Sequence, residues 1–108
     1  RAQGVNYRLR FHPAVADDLD EIASWLIDYA GPDAAARKLD EIDATIARLG
    51  ETPYTGSVRN DIAPGLRAIP AGRKAVIAFT VDNNSREVFI HAVTYAGADW
   101  MARRRGRG

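Results

Sequence analysis

Surface chemistry needs groups that move protons, hold charge or stack, and this chain gathers its candidates around one β-rich stretch. Arg67, Arg73 and Lys74 stand before or at the start of that stretch, and TYAGADW, residues 94–100, follows with Tyr95, Asp99 and Trp100. The cations can hold phosphates. They can equally line a sheet with charge that discourages edge-to-edge pairing. Tyr95 is the only phenol near them, and a lone phenol with no second proton-transfer group beside it is a poor base. The end of the chain adds Arg103, Arg104, Arg105 and Arg107. Such a run reads as a solvated end, or as a contact for nucleic acid or an acidic partner.

Other constellations drop out. His12 and His91 are the only histidines, neither has a carboxylate at ligand spacing, and there is no cysteine. No metal site, disulfide or cofactor is expected. Dinucleotide, P-loop and nucleophile-elbow motifs are all missing from the sequence. Asp17, Asp18, Asp20 and Glu21 crowd together, mostly off an apolar stripe, and read as a solvated helix face. Trp25 and Tyr29 lie near that stripe, as core or as the lining of a partner groove.

The elements that must position these residues follow from periodicity. Val5, Tyr7, Leu9 and Phe11 alternate with polar residues, the mark of a half-buried strand. Pro13 suits the first position of a helix, and Val15, Leu19, Ile22, Leu26 and Tyr29 form one apolar face. Gly31 and Pro32 end that helix and begin the next. Its stripe is Ala35, Leu39, Ile42, Ile46 and Leu49, with Asp33 placed to pair with Arg37. So short a break implies an antiparallel helical hairpin. Residues 51–65 read as a loop. Strands follow at about 66–70, 74–82 and 86–95, with Asn83 and Asn84 supplying a tight turn. The order β-α-α-β-β-β predicts an α+β fold, a helical hairpin on one face of a mainly antiparallel sheet.

With 108 residues, 46% of them hydrophobic and 27% charged, one domain over 1–108 is expected, with an unstructured basic tail at 103–108. Net charge is only +1, although the second half is the basic half. Direct nucleic-acid binding without a partner is therefore not expected. No apolar run approaches the roughly 20 residues of a membrane span, and no leader-like segment stands at the start.

Taken in order, YRLRFHPAVADDLDEIASWL, GPDAAARKLDEIDATIARLGETPYTGSVR, GLRAIPAGRKAVIAFTV and VFIHAVTYAGADW resemble the ParE branch of the RelE/ParE toxin superfamily. The resemblance covers nearly the whole chain. It implies a cytoplasmic toxin of a type II toxin–antitoxin pair, neutralised by a cognate, ParD-like antitoxin. ParE-like members are associated with inhibition of DNA gyrase and RelE-like members with ribosome-dependent mRNA cleavage. RelE-type toxins place lysines or arginines before the hairpin, an arginine in its first strand, and an arginine plus a tyrosine near the C-terminus. Here Leu66 to Pro70 holds Arg67 but no lysine, the hairpin position falls on Val76 or a neighbour, and Ala96, Gly97 and Ala98 follow the last strand. The chain also departs from ParE, with Ala92 and Tyr95 where an arginine and a histidine are usual, while Asp99 matches the acidic position.

The expectation is a non-catalytic toxin whose sheet presents a surface. Trp25, Leu26 and Tyr29 would bind antitoxin. Arg67, Arg73, Lys74, Tyr95, Asp99, Trp100, Arg103, Arg104 and Arg105 would meet the target on a separate surface. A RelE-like endoribonuclease and a degenerate antitoxin-binding module are the alternatives.

Overall fold

The computed structural model describes residues 6–95. Strand β1 (Arg8–Phe11) leads into helix α1 (Val15–Ala30), helix α2 (Pro32–Leu49), and strands β2 (Ser57–Val58), β3 (Arg67–Pro70), β4 (Ala75–Asp82) and β5 (Glu87–Tyr95). The sheet runs β1-β5-β4-β3-β2 and is antiparallel apart from the β1–β5 pair.

Helix α1 begins two residues beyond Pro13, which stands in the preceding turn rather than at the first helical position. No side chain caps α1 at Ala14. His12 organises the turn: its Nδ1 accepts the Ala14 N–H at 3.0 Å and its carbonyl accepts the Val15 N–H. Gly31, at φ +94°, ends α1 by donating its N–H to the Leu26 and Ile27 carbonyls. Pro32 then opens α2, where a missing N–H costs nothing.

The two apolar stripes meet on the sheet. Val15, Ile22 and Leu26 of α1 and Ala35, Ile42, Ile46 and Leu49 of α2 pack with Ile77, Phe79, Val88, Ile90 and Val93. Leu19 and Leu39 are half-buried at the margin of this layer. Tyr29, expected on the buried stripe, is 76% exposed. Residues 27–30 are all exposed, so the last turn of α1 overhangs the core. Phe11, expected inward with Tyr7 and Leu9, is exposed as well. It is the last residue of an edge strand, where the chain leaves the sheet for α1.

Three local readings change. The segment 51–65 contains β2, two residues paired with β3 and too short to show a period. In the β4–β5 turn, positive φ falls on Arg86 rather than on Asn83 or Asn84. Asp82 builds that turn by accepting the N–H groups of Ser85 and Asn84, and these bonds hold its carboxyl below the usual carboxylate range. On α2 the ion pair that forms is Lys38–Glu41.

A fourth change concerns β5. It carries one extra residue, His91, between the pairs Phe79↔Ile90 and Ala78↔Ala92. This bulge resets the alternation. Val88 and Ile90 before it, and Val93 and Tyr95 after it, belong to the helix-side core, whereas His91 bonds Thr80 on the opposite face at 3.1 Å. Strand β1 pairs β5 only as far as Ile90. Beyond that point no strand among the described residues meets the Val93 N–H on the β1 side, and Asp18 Oδ2 accepts it at 3.0 Å. Asp18 is therefore 1% exposed, not part of the solvated acidic face. Its spacing from Val15 and Ile22, three and four residues, is the signal that places it inward.

Ile42 is fully buried. Ile42→Ala should therefore lower stability by about 2–5 kcal/mol in urea denaturation. Asp18→Ala should cost about 1–3 kcal/mol, because it strands a buried N–H. Asp18→Asn keeps an acceptor and should cost less. A loss for Asp18→Ala no larger than that for exposed Asp17→Ala would remove the carboxylate from the core.

Candidate functional site

The β3–β4 turn is built from residues that must adopt unusual backbone. Gly72 has φ +70°, and a Cβ there would lie 2.2 Å from the Glu41 carboxylate. Lys74 has φ +74°. A side chain in that region costs about 1 kcal/mol. Ala71, fully buried, closes the turn by donating its N–H to the Ala75 carbonyl at 2.9 Å. From α2, Lys38 reaches over. Its ammonium donates to Glu41 Oε1 at 2.6 Å and to the Arg73 carbonyl at 3.1 Å, with only 15% of the side chain exposed. The turn is thereby tied to the helix. Arg73 and Lys74 are exposed, and no carboxylate among the described residues pairs with either.

The same lysine leads to an aromatic ledge. Its Nζ sits 5.7 Å from the centre of the Tyr95 ring, within cation–π range. Tyr95 is half-buried and lies 5.8 Å from Trp25, whose ring stacks on Tyr29 at 4.9 Å and 14°. The i,i+4 spacing on α1 brings those two side chains together. Trp25 is 47% exposed. Trp25 and Tyr29 are thus surface rather than core, and their ledge runs on through Tyr95 and Lys38 to the basic turn. Two surfaces expected to be separate are joined.

Two expected members do not belong. Leu26 is buried in the core between the helices and the sheet and offers no surface to a partner. Arg67 stands at the far end of β3 from the turn, opposite Phe79. Its guanidinium donates to the Thr55 carbonyl at 3.1 Å and lies 5.2 Å over the Tyr54 ring. Tyr54 in turn meets Tyr7 edge-on, and the Tyr7 hydroxyl bonds the Asn83 side chain. Arg67 therefore holds a loop. Asp99, Trp100, Arg103, Arg104 and Arg105 lie outside the described residues.

The helix-free face holds what sequence reasoning passed over. Phe89 is flanked edge-on by His91 at 4.7 Å and His12 at 6.4 Å, and Arg8 and Arg10 both bond Glu87. No linear spacing joins these residues; the parallel pairing of β1 with β5 does. His91 and Tyr95 face opposite sides of the sheet because of the bulge. Among the described residues no three metal-ligating side chains cluster, and no helix is long and apolar enough to cross a membrane.

The arrangement is shared with solved structures. A chromosomal ParDE toxin–antitoxin system from P. aeruginosa superposes with a TM-score of 0.71 at 23% identity, over 83% of this chain and 96% of that one. A doubly substituted E. coli toxin RelE in the free state gives 0.66 at 15% identity, over 95% and 98%. The RelBE2 toxin–antitoxin complex from Mycobacterium tuberculosis gives 0.61 at 19%, over 87% and 95%. At these identities the likeness is one of fold. No curated protein matches the chain significantly. Residues 9–100 match the family model of the ParE toxin of type II toxin–antitoxin systems, parDE. With that match over most of its length, on a fold common to ParDE and RelE structures, the chain belongs to the ParE toxin family.

Proposed function

We propose that this ParE-family toxin acts in the cytoplasm by binding a bacterial target, with DNA gyrase the leading candidate, and that it does so without cleaving RNA. The observation that carries the second half is the division of its proton-transfer groups. Cleavage through a 2′-OH calls for a base and an acid on the two sides of one phosphate. His91 and Tyr95 are held on opposite faces of the sheet, so they do not form that pair. The Lys38 ammonium beside Tyr95 is already engaged by Glu41 and the Arg73 carbonyl. Gyrase is the target associated with the ParE branch. Arg73 and Lys74, together with the Arg103–Arg105 run, are the residues assigned to target contact.

Neutralisation is assigned to an antitoxin docked on Trp25 and Tyr29. An exposed, stacked aromatic pair is apolar area that a monomer gains nothing by showing to water, and aromatics are enriched where partners bind. Two of the similar structures are described as toxin–antitoxin assemblies, which supports a partner of that kind.

One specific feature favours a second reading, a RelE-like ribonuclease. His91, hydrogen-bonded to Thr80, is an imidazole on the open face of the sheet. Assays separate the two. Purified toxin should inhibit supercoiling by gyrase and leave mRNA on ribosomes uncut above background. Codon-specific cuts that disappear in His91→Ala or Tyr95→Phe would replace the binding mechanism with the nuclease.

For the dock, Trp25→Glu should weaken antitoxin binding roughly tenfold or more, as loss of an interface anchor does, with an unchanged melting temperature. Growth inhibition should persist in that variant. Unaltered affinity would move the antitoxin elsewhere.

A further inference from the structure

Leu66, Ala78 and Ala92 are fully buried, yet none belongs to the core that the helices form with the sheet. Register puts the two alanines on the other face. Ala78 lies between the core residues Ile77 and Phe79, and pairs with Ala92 on one side and Ala68 on the other. Thr94, only 4% exposed, lies between the helix-facing Val93 and Tyr95 and pairs with Val76. Three alanines abreast therefore make a trough floored by methyl groups, with Thr94 toward one end. Methyl groups are too short to roof one another, and a fully buried residue is touched by roughly six to twelve others. The helices pack on the opposite face. His91 shares this face but leans toward Thr80 and Phe89, at the other end of the trough from Thr94. The β2–β3 connection covers Leu66, whose N–H bonds the Ala63 carbonyl and whose carbonyl accepts the Arg59 N–H. Leu66 stands before Arg67, however, at the end of β3 away from Pro70, the residue paired with Val76. The roof over Ala92 and Thr94 has to come from another part of the chain.

We propose that the roof is the chain's own C-terminal segment, residues 96–108, with Trp100 and Met101 seated on the alanine trough. The chain passes Thr94 and Tyr95 at this end of the face, so the segment starts beside its seat. Reach is sufficient. Ala92 lies two residues back from Thr94, roughly 7 Å along the strand. The five residues from Tyr95 to Trp100 can span roughly 17 Å. Ala96-Gly97-Ala98-Asp99 holds a glycine and an aspartate, which suit the reversal of direction that this return needs. Composition selects the anchors. Trp100 and Met101 are the only large apolar side chains of 96–108, and a trough of methyls leaves room for large flat or flexible ones. The seat also has a consequence for Arg103–Arg105, which begin three residues after Trp100. Anchored there, the basic run is presented from a fixed point on the helix-free face, and less freedom is lost when it meets an anion. That consequence alone rests on the assignment of the run to the target; the seat itself does not.

The chain has no cysteine, so one introduced thiol reports on the trough alone. In full-length toxin, the thiol of Ala92→Cys should react with a maleimide roughly tenfold slower than the same thiol combined with Trp100→Ser/Met101→Ser, since thiol reactivity follows access. Ser57→Cys, at an exposed position, should react at one rate with or without the tail substitutions. Thr94→Cys, close in size to the residue it replaces, repeats the measurement should Ala92→Cys not fold, and an unchanged far-ultraviolet circular dichroism spectrum shows that the tail variant is folded. Trp100→Ser/Met101→Ser should also lose growth inhibition to the extent that Arg103→Ala/Arg104→Ala/Arg105→Ala does. A thiol that reacts at one rate with and without Trp100 and Met101, whether fast or slow, overturns the seat whatever the growth result. If protection depends on the tail but the arginine variant inhibits growth like wild type, the seat stands and the assignment of the run to the target falls. If the arginines are needed and Trp100→Ser/Met101→Ser inhibits like wild type, anchoring does not present the run and that consequence falls.

Discussion

Strand β5 has to satisfy neighbours of different kinds along one run of nine residues, Glu87 to Tyr95. Antiparallel β4 accompanies it throughout, while parallel β1 accompanies only Glu87–Ile90. Where β1 stops, one edge of a central strand would lie bare, and a buried, unpaired N–H there costs as much as a lost hydrogen bond. Two adjustments at that point settle the molecule. Asp18 enters from α1 and takes the Val93 N–H, fixing the helix to the strand by a bond as well as by packing. The extra residue His91 shifts the alternation, so Val93 and Tyr95 turn toward the helices while His91 turns away. Without that shift Tyr95 would face the side that carries Thr80. It could then meet neither Trp25 nor Lys38, and the ledge and the basic turn would be separate features.

Much of the architecture is legible in the sequence because burial imposes a period. The stripes of α1 and α2 and the apolar runs of β3, β4 and β5 are read correctly, since each element meets the same layer along most of its length. Legibility fails where an element leaves that layer. Tyr29 keeps the phase of the α1 stripe, yet nothing lies beneath it, because periodicity reports direction and not how far the sheet extends. Phe11 fails at the end of an edge strand in the same way. Asp18 is the opposite case, a charged residue whose inward phase was outweighed by its acidic neighbours. β2 is short enough that no period exists to be read.

The candidate site was legible by residue type and not by arrangement. Trp25, Tyr29, Tyr95, Arg73 and Lys74 stand out as aromatic or cationic in any reading of the chain. Their contiguity depends on the bulge and on a lysine in α2 that nothing in the sequence marks as special. Lys38 lies in an ordinary amphipathic pattern beside Arg37. Only the fold reveals that one is largely buried over a phenol ring and the other is exposed. Arg67 shows the converse. As a cation beside a β-rich run it resembles Arg73, but the Tyr54 ring and the Thr55 carbonyl claim its guanidinium.

The features left at the surface all cost the isolated protein something. Lys74 sits in a backbone region where glycine would be easier, and a stacked tryptophan and tyrosine stay in water when the core could have used such area. Among the described residues, neither Arg73 nor Lys74 forms an ion pair. Local rules are commonly broken where function requires it, and here the breaks are adjacent and share one clamp. A lone exposed aromatic would call for no explanation. A strained turn and an exposed aromatic stack, joined through Lys38 and Tyr95, mark a surface that is not shaped by the stability of the fold alone.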